Sequence, residues 1–259
     1  DKKEAVNNTP TPTPIVYENR TAEDVRIEST KLEDAKNFEV KEVFDINISI
    51  EYLGMTLEMP VNNETVMVTK DDHAHAFANT HTEVFGQQID NNQEIYYGDG
   101  VAYTYTDDAG RWVYSQNDFE QVLKLANVAE MDFTHASCTY NTETETYTIE
   151  DTYKNIAGDN EEMKMIFNEA FAALGEYGIN GEELFETLGK CTMTYEYDAS
   201  CRLVYSAMKG FEYTASTDMG NIKMTISLEL EYSRYGEVKD EEVIVPESVK
   251  ESAVPFSAE

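Results

Sequence analysis

Long stretches of the chain alternate strictly between apolar and polar residues. From Ile222 to Tyr232 every second residue is apolar, and the same alternation runs from Ile46 to Tyr52 near the other end of the chain. A period of two puts successive side chains on opposite faces of a β-strand, so each of these strands has one apolar and one polar face. Long strands of this kind predict a broad antiparallel sheet whose apolar side must be covered.

Turn-forming residues divide much of the remaining chain into shorter strands. Between about residues 38 and 115, pairs such as Asn62-Asn63 separate the apolar runs, which predicts a meander of hairpins. Further strands are predicted at about 133–140, 145–153, 190–197, 201–209, 211–218 and 221–235. The ordered core is expected to end at residues 243–246, because Pro246 has no N–H to donate to a central strand.

Helical segments are predicted after Asp118, Asp159 and Asn180, with a further short one within residues 21–35. A helix covers a face ~10 Å wide and neighbouring strands lie ~4.8 Å apart, so one helix hides about two strands. Three helices therefore leave a sheet of about ten strands partly uncovered unless it curls. We expect an α+β fold, a large curved antiparallel sheet forming a half-barrel with two or three helices packed on the concave face.

The charge balance narrows the set of partners. The 259 residues include 51 acidic and 19 basic ones, for a formal net charge of -32. Nucleic acid and direct adhesion to anionic headgroups both need a basic surface, so neither is expected. The acidity is typical of a protein kept soluble in a salty extracellular medium. No apolar run approaches the ~18 residues of a membrane-spanning helix.

The N-terminal segment has the composition of a spacer. Residues 1–16 open on Asp1 and contain a Thr-Pro repeat from Thr9 to Pro14, which favours an extended chain. We expect these residues to be a disordered linker that follows a lipid-anchor site, and residues 17–259 to form a single half-barrel domain. The frayed terminus of a secreted protein is the alternative.

The architecture and a series of short motifs resemble the LolA-like half-barrel lipoproteins, most closely the uncharacterised Gram-positive surface lipoproteins among them. The resemblance covers about residues 36 to 250. Its motifs are Ile95-Tyr96-Tyr97-Gly98-Asp99-Gly100, Tyr105, Gly110-Arg111-Trp112, Tyr195-Glu196-Tyr197-Asp198, the paired strands from Cys201 to Tyr235, and Ile244-Val245-Pro246-Glu247-Ser248-Val249. The resemblance implies an N-terminal lipid anchor on the outer face of the cytoplasmic membrane and a hydrophobic or amphiphilic ligand in the hollow. It implies no catalytic residue.

Two functions are therefore expected for a non-enzymatic, monomeric protein without a cofactor. The first is binding of a lipid-like or amphiphilic small molecule in the hollow of the half-barrel. The second is a structural or protein-interaction role, with the hollow filled by the protein's own helices. For the first, the predicted ligand-binding residues combine the apolar stripe of the helix after Asp159 with the apolar faces of two strands. They are Met163, Ile166, Phe167, Phe171, Met193, Tyr195, Met224 and Ile226.

Two other groups of residues have weaker functional signals. His73 and His75 have a spacing found in zinc sites, although His81 would lie ~26 Å from His73 along a regular strand. A solvated histidine pair is the favoured interpretation. The cysteines, Cys138, Cys191 and Cys201, are interpreted as packed free thiols. A disulfide, if one forms, would join Cys138 to one of the other two, because a tight hairpin keeps Cys191 and Cys201 apart.

Overall fold

The computed structural model describes residues 20–84, 86–107, 109–116, 131–157, 180–217 and 220–256. Its strands form one twelve-stranded sheet, in the order β12-β6-β5-β4-β3-β2-β1-β11-β10-β9-β8-β7. Their bounds are β1 Phe38–Tyr52, β2 Met55–Lys70, β3 His73–Val84, β4 Gln87–Gly98, β5 Val101–Thr106, β6 Arg111–Gln116, β7 Ser137–Asn141, β8 Thr146–Thr152, β9 Thr192–Asp198, β10 Leu203–Thr217, β11 Gly220–Ser233 and β12 Val254–Pro255. The sheet is not closed, since its order runs from β12 at one edge to β7 at the other.

The prediction of an antiparallel sheet is correct for the hairpins but wrong for the sheet as a whole. β12 pairs with β6 in parallel, through Val254 opposite Val113, so the sheet is mixed. The expected end of the core at residues 243–246 is wrong for the same reason. Pro246 lies just before a helix, where its missing N–H costs no ladder hydrogen bond, and the chain continues to the sheet edge.

Five helices lie within the described ranges. They are α1 Ala22–Ser29, α2 Tyr153–Ala157, α3 Gly181–Gly189, α4 Asp240–Val243 and α5 Glu247–Ser252. Thr21 begins α1 through a capping box with Asp24, and the Asn180 side chain accepts from the Glu182 amide at the start of α3. None of the described helices is long and apolar enough to cross a membrane. The helices predicted after Asp118 and Asp159 lie outside the described residues.

The central strands pair as their alternation predicts. Ile46 on β1 lies opposite Ile226 on β11 and Val61 on β2, so the apolar residues of the three strands share one face. We call this the apolar face and its reverse the polar face. The turn predicted at Asn62-Asn63 is wrong, because both residues pair with β1 inside the continuous strand β2. The strands predicted at 201–209 and 211–218 are one strand, β10. Its register shifts between Met208 and Phe211, and Gly210 with φ +85° permits the irregularity.

Two large hydrophobic clusters cover different parts of the apolar face. One is built from β7, β8 and β9 together with α1, and includes Val25, Ile149 and Tyr197. The other joins α3 to β10 and β11, with Leu184 and Met224 at its centre. The C-terminal segment follows the polar face instead. There Arg234 donates one charged hydrogen bond to Glu39 and two to Glu242.

Candidate ligand-binding surface

The apolar face stays half exposed where it crosses β1 and β2. Ile46, Ile48 and Ile50 lie opposite Val61, Met59 and Leu57, and all six side chains are half-buried. We call this surface the apolar shelf. Its members are Phe44, Ile46, Ile48, Ile50, Leu57, Met59 and Val61. The same face is closed on the neighbouring strand β11, where Met224 is only 1% exposed and Ile222 is 3% exposed.

Helix α3 accounts for this difference. Leu184 and Leu188 of α3 are buried against Met208, Phe211 and the β11 residues of the same cluster. The Tyr213 hydroxyl on β10 also donates to Oε2 of Glu183 at 3.2 Å, which ties the helix to the sheet. Because one helix covers about two strands, α3 closes β10 and β11 and leaves β1 and β2 beside it. The apolar shelf is therefore continuous with the core but not closed over by α3.

A single carboxyl group interrupts the apolar side of β1. Glu42 lies between Thr65 on β2 and Leu230 on β11, two residues before Phe44 at the start of the shelf. Its side chain is half-buried, and this burial raises the pKa of the Glu42 carboxyl above its ordinary value. The Thr65 hydroxyl donates to Oδ1 of Asn63 at 2.9 Å, so that donor is already used.

The structure places four of the predicted ligand-binding residues. Tyr195 and Met224 are 2% and 1% exposed and form part of the two clusters, and the Tyr195 hydroxyl donates to Sδ of Met131 at 3.1 Å. Ile226 is buried, and Met193 is half-buried between the clusters. The other four, Met163, Ile166, Phe167 and Phe171, lie outside the described residues. Ligand binding by these residues stays a prediction.

The shelf residues on β1 and β2 were not predicted as a binding surface. The alternation from Ile46 to Tyr52 was visible in the sequence and correctly placed these residues on an apolar face. Which strands a short helix covers depends on its docking, which the alternation does not encode. Met55, at the β1–β2 turn beyond the shelf, is 69% exposed.

The polar face carries a shallow depression directly behind the shelf, with a volume of about 340 Å³. It is lined by Ile46, Val61 and Ile226 and, on the same three strands, by Asp45, Asn47, Pro60, Asn62, Thr225 and Ser227. The last six have the strand parity of the polar face, opposite to that of Ile46. The Asn62 amide donates to Oδ1 of Asp45 at 2.6 Å. Ile46 and Val61 belong to both the lining of the depression and the apolar shelf, so the two features share the same part of β1 and β2.

The histidine pair lies on the polar face near the C-terminal segment. Nε2 of His75 is 3.0 Å from Oε1 of Glu94 and Nδ1 is 3.2 Å from the Glu242 carbonyl oxygen, while the ring stacks on Tyr96 at 3.9 Å. His73 packs against Gly98, where an added Cβ would lie 2.8 Å from Cδ2 of the imidazole. Within the described ranges no group of three or more His, Cys, Asp or Glu side chains has metal-binding geometry.

The cysteines are free thiols, as interpreted from the sequence. Cys191 and Cys201 are buried and Cys138 is half-buried. Burial raises the pKa of each of the three thiols, which suppresses the reactive thiolate form. The Arg20 guanidinium donates to Sγ of Cys201 at 2.7 Å and partly offsets that effect. The arrangement is that of packed core residues.

Some of the motif residues that carry the family resemblance form an aromatic cluster on the polar face. The Trp112 ring lies 5.8 Å from Tyr96 and 5.6 Å from Tyr105, measured between ring centroids. Tyr103 and Tyr114 lie alongside at 6.2 Å. These cross-strand ring pairs stabilise the hairpins of β4, β5 and β6, so the motif residues have a structural role.

Comparison with known proteins finds similar structures but no similar sequence. No protein-family model matches the chain. No curated protein matches it either. A DUF1329 family protein from Desulfovibrio piger is 11% identical, with 81% of this chain and 89% of that chain covered and a TM-score of 0.24. A beta-barrel-like protein of domain of unknown function DUF1849 from Brucella abortus is 8% identical, with 76% and 98% covered and a TM-score of 0.20.

Proposed function

We propose that this protein is a non-enzymatic, LolA-like surface lipoprotein that binds a hydrophobic or amphiphilic ligand on the apolar shelf. The observation that carries the proposal is the contrast along one continuous apolar face. β10 and β11 are closed by α3, and their neighbours β1 and β2 keep seven apolar side chains only half-buried. Contiguous apolar surface of this kind is a common mark of a binding site.

The shelf also has the composition of an adaptable surface. It combines branched aliphatic residues with Phe44 and the flexible thioether of Met59. Unbranched thioethers adjust to guests of different shape, and an apolar wall with few polar groups is typical of small-molecule sites. In this proposal an N-terminal lipid anchor tethers a monomer to the outer face of the cytoplasmic membrane, and residues 1–16 serve as a spacer.

A structural or protein-interaction role is the second candidate. It is favoured by the tightly filled half of the sheet, where Tyr147, Ile149 and Tyr197 are each at most 1% exposed. A core of that density needs no external ligand. The two candidates differ in what they require of the shelf, because only ligand binding requires the shelf to accept apolar molecules from solution.

Native mass spectrometry of the purified protein, before and after incubation with a lipid extract, tests the first candidate. Titration with the fluorescent apolar probe N-phenyl-1-naphthylamine gives a dissociation constant alongside. We expect mass shifts that match bound amphiphiles and saturable probe binding. A clean apo mass together with an unchanged probe spectrum would refute ligand binding.

A matched pair of double variants locates the binding. Ile48→Ser with Met59→Ser alters directly opposed residues of the shelf, whereas Val43→Ser with Val66→Ser alters apolar residues on the reverse face of the same two strands. Losing contact with two apolar side chains weakens binding about tenfold or more, at ~1.4 kcal/mol per factor of ten. The reverse-face pair should bind as the unmodified protein does. Equal losses in both pairs would mean that the shelf is not the site.

A further inference from the structure

The Glu42 carboxyl is unusual for its position. It projects from the apolar face of β1, with Leu230 beside it on β11 and Phe44 next on the same side of its own strand. Other acidic residues of β1, such as Glu39 and Asp45, have the strand parity of the polar face. Taking a carboxylate out of water is costly unless a hydrogen bond or a cation compensates it.

Neighbouring side chains within the described part of the chain do not supply that compensation. The Thr65 hydroxyl donates to Asn63, and the Asn63 amide donates in turn to Thr80. Tyr232 is the titratable group that faces Glu42 from β11, and burial raises its pKa to about 12, so it stays neutral. No hydrogen bond or ion pair to the Glu42 side chain occurs among the described residues.

Glu42 and the apolar shelf are spaced so that one amphiphile can place its polar end at Glu42 and its apolar chain on the shelf. Ile46 follows four residues after Glu42 on the same face, roughly 13 Å along the strand, and Ile50 follows at roughly 26 Å. A linear molecule with its polar end at Glu42 can therefore lay its chain along β1. The formal net charge of -32 also disfavours an anionic molecule near the sheet.

We propose that Glu42 binds the protonated amine head group of an amphiphile whose apolar chain lies on the apolar shelf. This inference rests on the proposed function and adds the chemical class of the ligand. An ammonium group supplies three donors and the opposite charge, and the charge-assisted hydrogen bond between them compensates the half-buried carboxylate. The apolar chain removes the remaining exposed surface of the shelf from water.

Three probes that share one alkyl chain and differ in their head group separate the contribution of the head group to affinity from that of the alkyl chain. Dodecylamine, dodecanol and dodecanoate are titrated below their micelle-forming concentrations into the full chain at neutral pH, each by displacement of N-phenyl-1-naphthylamine. We expect dodecylamine to bind at least tenfold more tightly than dodecanol, and dodecanoate more weakly than either. Equal affinities for the amine and the alcohol would overturn the role of Glu42 and leave apolar binding intact. Absence of binding by all three would overturn the proposed function as well.

Two isosteric variants assign the preference to one residue. Glu42→Gln removes the charge at the shelf, and Glu64→Gln removes the same charge from the polar face of β2. We expect Glu42→Gln to lower dodecylamine affinity about tenfold, to the level of dodecanol, without changing dodecanol affinity. Glu64→Gln should leave both affinities unchanged. Equal losses of amine affinity in the two variants would show a general effect of net charge and overturn the proposal. Circular dichroism verifies that each variant is folded.

Discussion

Gly220 lies at the start of β11, in close contact with the end of β1. Its φ is +118°. A Cβ atom added at Gly220 would overlap the Glu51 backbone, because it would lie 2.2 Å from the Glu51 carbonyl oxygen. Real Cβ atoms essentially never approach a carbonyl oxygen this closely, so Gly220→Ala must displace either β11 or the last residues of β1. The pairing of Asn221 with Glu51 holds this part of the sheet together.

The expected cost of Gly220→Ala has two parts. Backbone strain at a φ that side-chain-bearing residues rarely adopt costs about 1–3 kcal/mol. Displacing the strand end loses about one ladder hydrogen bond, for about 1 kcal/mol more. We therefore expect the variant to be about 2–4 kcal/mol less stable, because the clash is with backbone atoms that cannot rotate away.

Gly54→Ala is the matched control. Gly54 lies in the β1–β2 turn with φ +79°, but no heavy atom lies within 4 Å of its added Cβ. Its substitution therefore costs only the positive-φ strain, about 1–2 kcal/mol. Urea denaturation followed by circular dichroism compares the midpoints of the two variants at constant slope. If Gly220→Ala were no more destabilising than Gly54→Ala, the close contact between β1 and β11 would be refuted.

Three further predictions follow from burial and ionisation. Met224→Ala should lower the free energy of unfolding by about 2–5 kcal/mol, because it leaves a cavity in a closed part of the core. Met55→Ala, at an exposed position of the same face, should lower it by about 0.5 kcal/mol or less. Similar losses in thermal or urea unfolding would contradict the division of the apolar face into a closed and an open part. The pKa of Glu42 is raised in the folded state, so its charged form opposes folding. The stability of the wild type relative to Glu42→Gln should therefore be highest below pH 4.5. It should fall as the pH rises through the folded-state pKa of Glu42. A variant that is no more stable than wild type at pH 7 would contradict this. Among the three thiols, the half-buried Cys138 should react first with a disulfide reagent such as DTNB under native conditions. Cys138→Ser should therefore remove the fastest phase of the reaction. A fast phase that persists in this variant would mean that the buried thiols are accessible.

The strand alternation predicted the centre of the sheet well. Ile222 to Tyr232 and Ile46 to Tyr52 lie in two directly paired strands, and the apolar residues of both fall on one face. Local cues also predicted α3, whose first turn depends on the Asn180 cap. These features depend on neighbours in the chain, and a single sequence contains that information.

The predictions were wrong or incomplete where distant segments meet. The residues around Gly210 predict a break between two strands, but pairing with β11 on one side and β9 on the other keeps β10 continuous across its bulge. Pro246 predicts the end of the core, but the chain beyond it reaches the sheet edge and pairs with β6. No local pattern near residue 254 indicates a partner about 140 residues earlier in the chain.

Three properties can be derived from the order of residues alone: which side chains share a face of each strand, the acidity of the molecule, and the presence of one carboxyl group among the apolar positions of β1. Those properties follow from the two-residue period of a strand and from composition. The docking of α3 over β10 and β11 is visible only in the folded molecule, where the apolar face is closed at Met224 and half-buried at Ile48. A helix hides about two strands, and which two it hides depends on how side chains far apart in sequence pack together.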